Sequence, residues 1–508
     1  MGSRLALGIA FVAAGIAAGL SLWAANPYPG TTVDSGEYVA VADGLANGYG
    51  LSMPYVSYDE AFRILEPGER LEMTQFPPLY PATLSAIHEV TGADLLSSAA
   101  LLGAACFFLS VLLGCLIVWE HGRDVKLVGL AGGFLLAPQL VTLHSMVWSE
   151  GPMILGLMGA LYLTQRAIRT GGVTPLIGAA LFAIAASLTR YVGMSVAIAI
   201  GLALGGRIAR VRAGVLALVA LVPIAAWFVR NALVSGAASE KTLAWHPPSG
   251  RHLVQGAQAI GSWMVPGELP AGIAGAVAVL AILAWGGRRL SSKRNPLPSA
   301  LRTCVIFGTC YMLMVVLARM VLDLNIPFDT RILAPLQVIA IVSVCVALSS
   351  LPPARRGPLV FAAVALVASG GAIRGIKAAS EFSRLPVAGY TGEAWRHSET
   401  LAYVGALPES VAIITNTPDP IWIWHRKTSH FFPPRSNIYG GEPNEDYTRQ
   451  LQDLRAATSC GQAVVVFFDR PTRKPVRSID PVIIEEMELS LETDLADGDI
   501  YKVGPGPC

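Results

Sequence analysis

Hydrophobic positions in this chain are grouped in long runs that are separated by short polar loops. A helix that crosses a bilayer needs about 20 apolar residues, because each residue advances it by ~1.5 Å through ~30 Å of hydrocarbon. Eleven runs approach this length, and they lie near residues 5–25, 96–118, 127–146, 151–166, 174–189, 192–206, 213–230, 270–286, 301–320, 332–350 and 358–374. The pattern therefore predicts a polytopic α-helical membrane protein with eleven transmembrane helices.

The pattern changes from about residue 375 to short apolar runs between polar stretches. Runs of this kind are typical of buried strands, and they lie at 410–415, 421–424, 463–468 and 500–503. Residues 446–457 have the spacing of an amphipathic helix. Alternating strands and helices predict a small α/β domain over 375–508, beside a transmembrane domain over 1–374.

Composition supports a membrane protein and argues against a nucleic-acid partner. The chain is 53% hydrophobic and 14% charged, whereas a soluble domain has about 25% charged residues. Its excess apolar surface requires membrane lipids. The formal net charge is only +2, and no basic stripe with interleaved aromatic residues occurs. We therefore predict no binding to nucleic acid.

The distribution of basic residues predicts the orientation, because cytoplasmic loops carry an excess of Lys and Arg. One alternate set of loops is basic throughout and contains Arg4, Arg123, Lys126, Arg166, Arg169, Arg207, Arg210, Arg212, Arg288, Arg289, Lys293, Arg294, Arg355 and Arg356. The opposite set opens with a long acidic loop, residues 26–95. We predict a cytoplasmic N-terminus, an extracytoplasmic C-terminal domain and the plasma (inner) membrane of a bacterium.

Cysteine and histidine spacing gives little indication of a metal. Cys460 and Cys508 are the only cysteines of the polar C-terminal region, which leaves a disulfide open if that region is extracytoplasmic. His246 and His252 lie six residues apart without a third ligand, the pattern of ordinary loop histidines. We predict no metal site and no cofactor, although a divalent metal is not excluded.

The first outer loop contains the strongest catalytic candidate, Asp34. Positions 38, 41, 42 and 45 are apolar and share one helical face, which predicts a helix along the membrane surface with Asp34 near its N-terminus. Free N–H groups at a helix N-terminus stabilise a carboxylate. Asp34 is either a helix cap or a catalytic base, and the spacing alone leaves both interpretations open.

Charged residues recur at the outer helix ends. Glu150 is the only acid between 127 and 165, and a charge at that depth costs about 2.5–3.5 kcal/mol, so it is a functional candidate unless it pairs with an arginine. Three arginines lie where the charge rule expects few cations: Arg190, Arg230 and Arg331. They either reach outer headgroups or form a shared anion site, and the planar guanidinium group suits phosphate.

In this order the residues resemble the GT-C superfamily of membrane glycosyltransferases, in the branch of bacterial protein O-mannosyltransferases and the lipid A aminoarabinose transferase. The motifs are Asp34-Ser35-x-x-Tyr38, Pro77-Pro78-Leu79-Tyr80-Pro81, Ser149-Glu150, Thr189-Arg190-Tyr191, Trp227-x-x-Arg230-Asn231 and Arg331-x-Leu333-x-Pro335. The resemblance implies a GT-C-like fold, a polyprenyl-phosphate sugar donor and Asp34 as the catalytic base. It covers roughly residues 5–340.

We therefore predict a glycosyltransferase that moves a hexose or pentose, with inversion, to a hydroxyl of an extracytoplasmic glycan, lipid or protein. Asp34 and Glu150 are the predicted catalytic residues. The predicted substrate- and lipid-phosphate-binding residues are Glu37, Tyr38, Tyr80, His144, Arg190, Tyr191, Arg230, Asn231 and Arg331. The alternative is a transporter or flippase of a lipid-linked sugar, which would also hold charges near the membrane and bind lipid phosphate.

Overall fold

The structure is a computed structural model that divides into two compact units, which we describe separately. It describes residues 2–57, 62–66, 68–204, 207–238, 245–278, 297–350, 358–384, 389–436, 441–458, 462–469 and 479–504. The helical unit contains Met1–Pro27, Ala100–Arg230 and Leu243–Ser383, and the mixed unit contains Tyr28–Ala99, Asn231–Thr242 and Arg384–Cys508. The first outer loop thus groups with the C-terminal region, whereas we expected it within a domain of residues 1–374.

Helices account for the secondary structure of the helical unit. In chain order they are α1 (Gly2–Ala24), α4 (Leu95–Gly122), α5 (Val125–Leu135), α6 (Pro138–His144), α7 (Glu150–Thr170), α8 (Val173–Thr189), α9 (Met194–Ala203), α10 (Arg207–Ser235), α11 (Gly250–Ser262), α12 (Glu268–Ala278), α13 (Ser299–Val321), α14 (Ala334–Ser349) and α15 (Pro358–Arg384). Helices α4, α10 and α15 each include residues that are assigned to the mixed unit. Helices α2 (Val33–Ala46) and α3 (Leu79–Thr91) belong to the mixed unit.

Length and composition identify the helices that are able to cross a membrane. Among the described residues four helices qualify, namely α1, α4, α10 and α13. The pair α5 and α6, bent by 62° at Leu136–Ala137, makes a fifth if it is one broken span. The chain is therefore a helical membrane protein, and the count of eleven spans stays a prediction.

Small residues allow the helices of this unit to pack closely. A Cβ atom at Gly156 of α7 would lie 2.9 Å from the Cβ atom of Ala186 on α8. A Cβ atom at Gly159 would lie 2.6 Å from the ring of Phe182. Only glycine fits at such contacts, because apolar helices in a lipid environment associate mainly through close backbone packing. The contact fixes α7 against α8, and both helices lead to candidate site residues.

The mixed unit contains a five-stranded sheet in the order β4-β3-β5-β7-β6. Its strands are β3 (Ala412–Thr415), β4 (His430–Phe431), β5 (Ala463–Phe468), β6 (Ser490–Leu495) and β7 (Gly498–Lys502). The first outer loop adds a small sheet of β1 (Ser52–Met53) and β2 (Leu71–Glu72). The helices are α2 (Val33–Ala46), α3 (Leu79–Thr91), α16 (Glu393–Arg396), α17 (Glu399–Ala406), α18 (Pro418–His425), α19 (Tyr447–Thr458) and α20 (Pro481–Glu486).

The five-stranded sheet combines parallel and antiparallel pairs around the apolar strand β5. Strand β3 pairs in parallel with β4 and β5, and β7 pairs antiparallel with β5 and β6. Five of the six residues of β5 are buried, which accounts for its continuous apolar sequence. Three of the predicted strands and the predicted helix coincide with β3, β5, β7 and α19.

One predicted strand of this region is wrong, because residues 421–424 lie within α18. Pro418 occupies the first turn of α18, where its fixed φ angle favours a helix and its missing N–H has no helical partner to lose. Short apolar runs do not distinguish a buried helix from a buried strand. The sequence analysis also missed β4, which has only two residues, and β6, which is mostly exposed.

The predicted surface helix of the first outer loop is also corrected. A helix is present from Val33 to Ala46, but its residues from Ser35 to Ala42 are all buried. It packs against α3, β1 and α18, so both its apolar and its small residues face protein. An amphipathic surface helix would expose one face. Helix α2 is therefore a core helix of the mixed unit.

Candidate functional site

Glu150 begins helix α7 and forms ion pairs with two of the predicted arginines. The residue is 1% exposed. Its Oε1 atom accepts a hydrogen bond from Nε of Arg331 at 2.5 Å and lies 3.0 Å from Nη1 of Arg190. The side chains of both arginines are 20% exposed. We call Glu150, Arg190 and Arg331 the ion-pair cluster. The pairing of Glu150 with arginine, one of the two interpretations of the sequence, is thus confirmed.

The backbone around Arg190 explains how this arginine reaches Glu150. Helix α8 ends at Thr189, Arg190 is extended, and a 3-10 turn follows at Tyr191–Gly193. A Cβ atom at Gly193 would lie 2.2 Å from the carbonyl oxygen of Ala186, so the close turn requires glycine. Nη1 of Arg190 also donates to Oγ of Ser149, at 3.0 Å. The turn and this bond fix the guanidinium group.

Arg331 is positioned by the turn that precedes α14. Its guanidinium group lies over the ring of Trp148, 4.3 Å from the centroid, in a cation–π contact. In the same turn the N–H group of Ile332 donates to Oδ1 of Asp329 at 2.9 Å. The Tyr311 hydroxyl donates to the Ile332 carbonyl at 2.7 Å, which ties the turn to α13. The Trp148 ring and the Glu150 carboxylate thus hold the guanidinium group, and the turn that carries it is tied to α13.

The charge of this region depends on Asp329. The ion-pair cluster has two guanidinium groups and one carboxylate, so its net charge is +1. Burial raises the pKa of the Asp329 carboxyl, and the charge of Glu150 raises it further, although backbone hydrogen bonds and Arg331 oppose this shift.

Tyr191 and Arg230 lie next to the ion-pair cluster through aromatic contacts. The Trp227 indole N–H donates to the Tyr191 hydroxyl at 3.3 Å. Tyr191 stacks on Phe228 with ring centroids 5.1 Å apart. The Arg230 guanidinium group lies over the Trp227 ring, 4.9 Å from the centroid. The structure therefore brings together Glu150, Arg331 and the two predicted motifs at 189–191 and 227–230.

His144 packs inside the helical unit. It is 1% exposed and stacks on Phe107, with ring centroids 4.3 Å apart. Its Nδ1 atom lies 2.8 Å from the Leu140 carbonyl oxygen. The His144 carbonyl accepts from the Ser21 hydroxyl at 2.8 Å and lies where a Cβ atom at Gly103 would clash. These contacts favour a packing role, and a role in binding stays a prediction.

In the mixed unit, Asp34 lies in the first turn of α2 and is half-buried. The N-cap residue is Thr32, and its backbone N–H group donates to Oγ of Ser35 at 2.8 Å. Asp34 is therefore not the N-cap residue, which corrects one of the two interpretations of the sequence. Its position in the first turn places the carboxylate near the positive end of the helix dipole.

Four other predicted residues of this unit are buried. Glu37 and Tyr38 are 0% exposed, and the Tyr38 ring packs edge-on against Tyr80 with centroids 4.8 Å apart. Nδ2 of Asn231 donates to the Thr74 carbonyl at 3.0 Å. Such contacts are typical of a packed core. Contact of these residues with substrate stays a prediction.

The sequence analysis missed Asp419, which lies in the first turn of α18 and is 1% exposed. Its Oδ1 atom accepts from the Tyr55 hydroxyl at 3.0 Å and from the Ser57 hydroxyl at 3.4 Å. Burial, Asp419 and Glu37 all raise the pKa of Tyr55, so the phenol stays protonated and donates. An acid between two prolines, Pro418 and Pro420, was the only available signal, and it indicates a turn more often than a site.

A metal centre is not evident in the part of the chain that the structure describes. No group of three or more His, Cys, Asp or Glu side chains there is arranged to hold a metal ion. Cys460 and Cys508, the predicted disulfide pair, lie outside the described residues.

Apolar helices that are long enough to cross a membrane and charged residues at helix ends define a helical membrane protein. The structure is similar to that of ArnT from Cupriavidus metallidurans bound to undecaprenyl phosphate, with a TM-score of 0.59 and 12% identity over 100% of this chain and 98% of that chain. The apo state of that protein gives a TM-score of 0.50 and 13% identity over 97% of this chain and 98% of that chain.

A third similar structure is the arabinofuranosyltransferase AftD from Mycobacteria. Its TM-score is 0.53 and its identity 16%, and the match covers 98% of this chain but 41% of that chain. No family model matches the sequence, and no curated protein matches it. The resemblance to the GT-C superfamily is thus confirmed as a likeness of fold.

Proposed function

We propose that the protein is a membrane glycosyltransferase that moves a sugar from a polyprenyl-phosphate donor to an extracytoplasmic hydroxyl acceptor. The observation that carries the proposal is the full-length likeness of fold to ArnT, a transferase whose structure holds undecaprenyl phosphate. The donor and the reaction are inferred for this chain from that likeness. The ion-pair cluster supports the proposal independently, because its chemistry suits a phosphate.

The arginines of the ion-pair cluster would bind the donor phosphate. Arg190 and Arg331 keep part of their surface exposed while Glu150 and Trp148 fix their orientation. A planar guanidinium group donates two parallel hydrogen bonds to phosphate oxygens. Fixed donors stabilise charge that develops in a transition state without reorganising during the reaction. In this proposal Glu150 is a positioning residue, and the geometry does not favour it as a base.

Asp34 would act as the general base. The acceptor hydroxyl gives its proton to the Asp34 carboxylate, and its oxygen forms a bond to the anomeric carbon. The bond between that carbon and the phosphate oxygen breaks, and the polyprenyl phosphate leaves with the electron pair. A single displacement inverts the anomeric configuration. The half-buried position of Asp34 in the first turn of α2 supports this role, because part of the carboxylate stays accessible.

The membrane is, in this proposal, the plasma (inner) membrane of a bacterium, with a cytoplasmic N-terminus and extracytoplasmic chemistry. The basic loops of the sequence support this orientation. The acceptor is a glycan, lipid or protein that carries a hydroxyl group, and the sugar is a hexose or pentose.

The test is incubation of the purified full chain with a panel of polyprenyl-phosphate hexoses and pentoses and with hydroxyl acceptors. Mass spectrometry would follow release of polyprenyl phosphate and formation of the glycoside. We expect release with at least one donor and an inverted anomeric centre in the product. Counterflow of the lipid-linked sugar across liposomes without any release would instead identify a transporter.

A further inference from the structure

Helix α2, which holds Asp34, is tied to the C-terminal part of the chain by one buried carboxylate. Asp419 lies in the first turn of α18, and α18 packs against α2 within the mixed unit. The Oδ1 atom of Asp419 accepts from the Tyr55 hydroxyl at 3.0 Å. The first outer loop therefore donates to α18 at the point where α18 meets α2.

The approach of α18 to α2 is as close as glycine permits. A Cβ atom at Gly36 would lie 2.4 Å from Oδ1 of Asp419 and 2.6 Å from its Cβ atom. Real Cβ atoms essentially never show such distances. Asp34 and Glu37 lie on either side of Gly36 in the same helical turn. Any displacement at this contact therefore moves the turn that contains the proposed base.

We propose that Asp419 is a positioning residue that holds the first turn of α2, and with it Asp34, in the orientation needed for sugar transfer. The proposal rests on the proposed function and assigns a part of the reaction to the C-terminal region. Asp419 acts through its hydrogen bond from Tyr55 and its contact with Gly36. It does not touch substrate.

Energetic considerations support a positioning role over simple packing. A carboxylate that is 1% exposed is costly to bury, and an apolar residue of similar size would fill the same space at less cost. The carboxylate is useful here because it fixes a direction: its acceptor atom must meet the Tyr55 hydroxyl. A misplacement of a catalytic group by about 1 Å costs roughly 10²-fold in rate.

The test compares three variants with one control in the purified full chain. Asp419→Ala removes the contact, Asp419→Asn keeps the shape and an Oδ1 acceptor, and Gly36→Ala forces α2 from α18. The control is Gly19→Ala, since Gly19 is also helical but has no atom within 4 Å of an added Cβ. We expect kcat to fall by roughly 10–100-fold in Asp419→Ala and Gly36→Ala, with KM for the donor within about threefold of wild type.

The asparagine variant separates positioning from loss of the fold. We expect Asp419→Asn to recover kcat to within about fivefold of wild type, because its carbonyl oxygen accepts the Tyr55 hydroxyl. Equal kcat values for Asp419→Asn and Asp419→Ala would overturn the proposal. So would a kcat for Gly36→Ala equal to that of Gly19→Ala. If Asp419→Ala does not fold, the asparagine and glycine variants decide alone.

Hydrogen exchange provides a readout that does not need activity. Amide exchange of residues 33–46 should rise in Gly36→Ala and Asp419→Ala and stay unchanged in Gly19→Ala. If the wild-type protein transfers no sugar but the variants show this exchange pattern, the proposed function is refuted, while Asp419 still positions α2. Unchanged exchange in all variants would refute the positioning itself.

Discussion

The helical unit and the mixed unit each bury one carboxylate at a helix N-terminus, and they stabilise it differently. Glu150 of the helical unit contacts two guanidinium groups, whereas Asp419 of the mixed unit accepts from two hydroxyl groups. Each residue is 1% exposed. A carboxylate between cations orients them, while one that accepts from hydroxyl groups mainly fixes the direction of neutral donors.

The difference separates two kinds of contribution to one proposed reaction. The helical unit presents fixed positive charge, which suits the phosphate of a leaving group. The mixed unit holds a helix with an accessible acid, which suits proton transfer. Substitutions in the helical unit should therefore alter donor handling and stability, and substitutions in the mixed unit should alter the chemical step.

The largest expected effect comes from Asp34→Asn in the mixed unit. Loss of a general base lowers the rate by about 10²–10⁴-fold, while the half-buried position lets the protein fold and insert normally. The measurement is kcat for release of polyprenyl phosphate, together with the yield of folded protein. Asp43→Asn, the same change on the same helix, is the control. Transfer near the wild-type rate would eliminate Asp34 as the base.

The second effect concerns the stability of the helical unit. Glu150→Gln leaves two guanidinium groups without their carboxylate, and breaking a buried pair costs about 3 kcal/mol when the cations are partly exposed. Thermal unfolding in detergent measures the loss. Glu120→Gln is the matched control, since Glu120 pairs with Arg169 at side-chain exposures of 20% and 32%, and should cost less than about 1 kcal/mol. If Glu150→Gln and Glu120→Gln lose the same free energy of unfolding, the ion-pair cluster does not stabilise the protein more than a partly exposed pair does.

Arg331→Lys tests whether Arg331 of the helical unit binds the donor phosphate. Lysine keeps the charge but loses the planar fork and the stacking on Trp148, so donor turnover should fall about tenfold, the equivalent of one charge-assisted hydrogen bond. Steady-state kinetics against the donor measures this change. Arg166→Lys, at the other end of α7, serves as control. A variant with unchanged kcat/KM would argue against phosphate binding at Arg331.

The smallest expected effect is that of Tyr55→Phe. It removes the hydroxyl that donates to Asp419 and keeps the ring, so the free energy of unfolding should fall by about 1 kcal/mol. Chemical or thermal denaturation detects this change. If the variant is as stable as wild type, water or another donor replaces the hydroxyl, and the orientation of Asp419 does not depend on Tyr55.

The sequence determined the features that depend on local composition. Runs of apolar residues identified the helices, because crossing hydrocarbon requires a fixed length of apolar chain. Continuous apolar character identified β5, and the order of motifs identified the GT-C likeness. Glu150 stood out because an acid in an apolar stretch is costly, and the sequence left open whether it pairs with an arginine.

Only the tertiary structure decided the features that depend on distant partners. The periodicity of α2 suggested a surface helix, yet α18, which lies far along the chain, packs against it at Gly36. The local signal at Asp419, an acid between two prolines, indicates only a turn, and its role depends on Gly36 and Tyr55, which pack against it from another part of the sequence. Local patterns record which residues need burial, whereas the choice of partner depends on contacts between segments that the sequence order does not reveal.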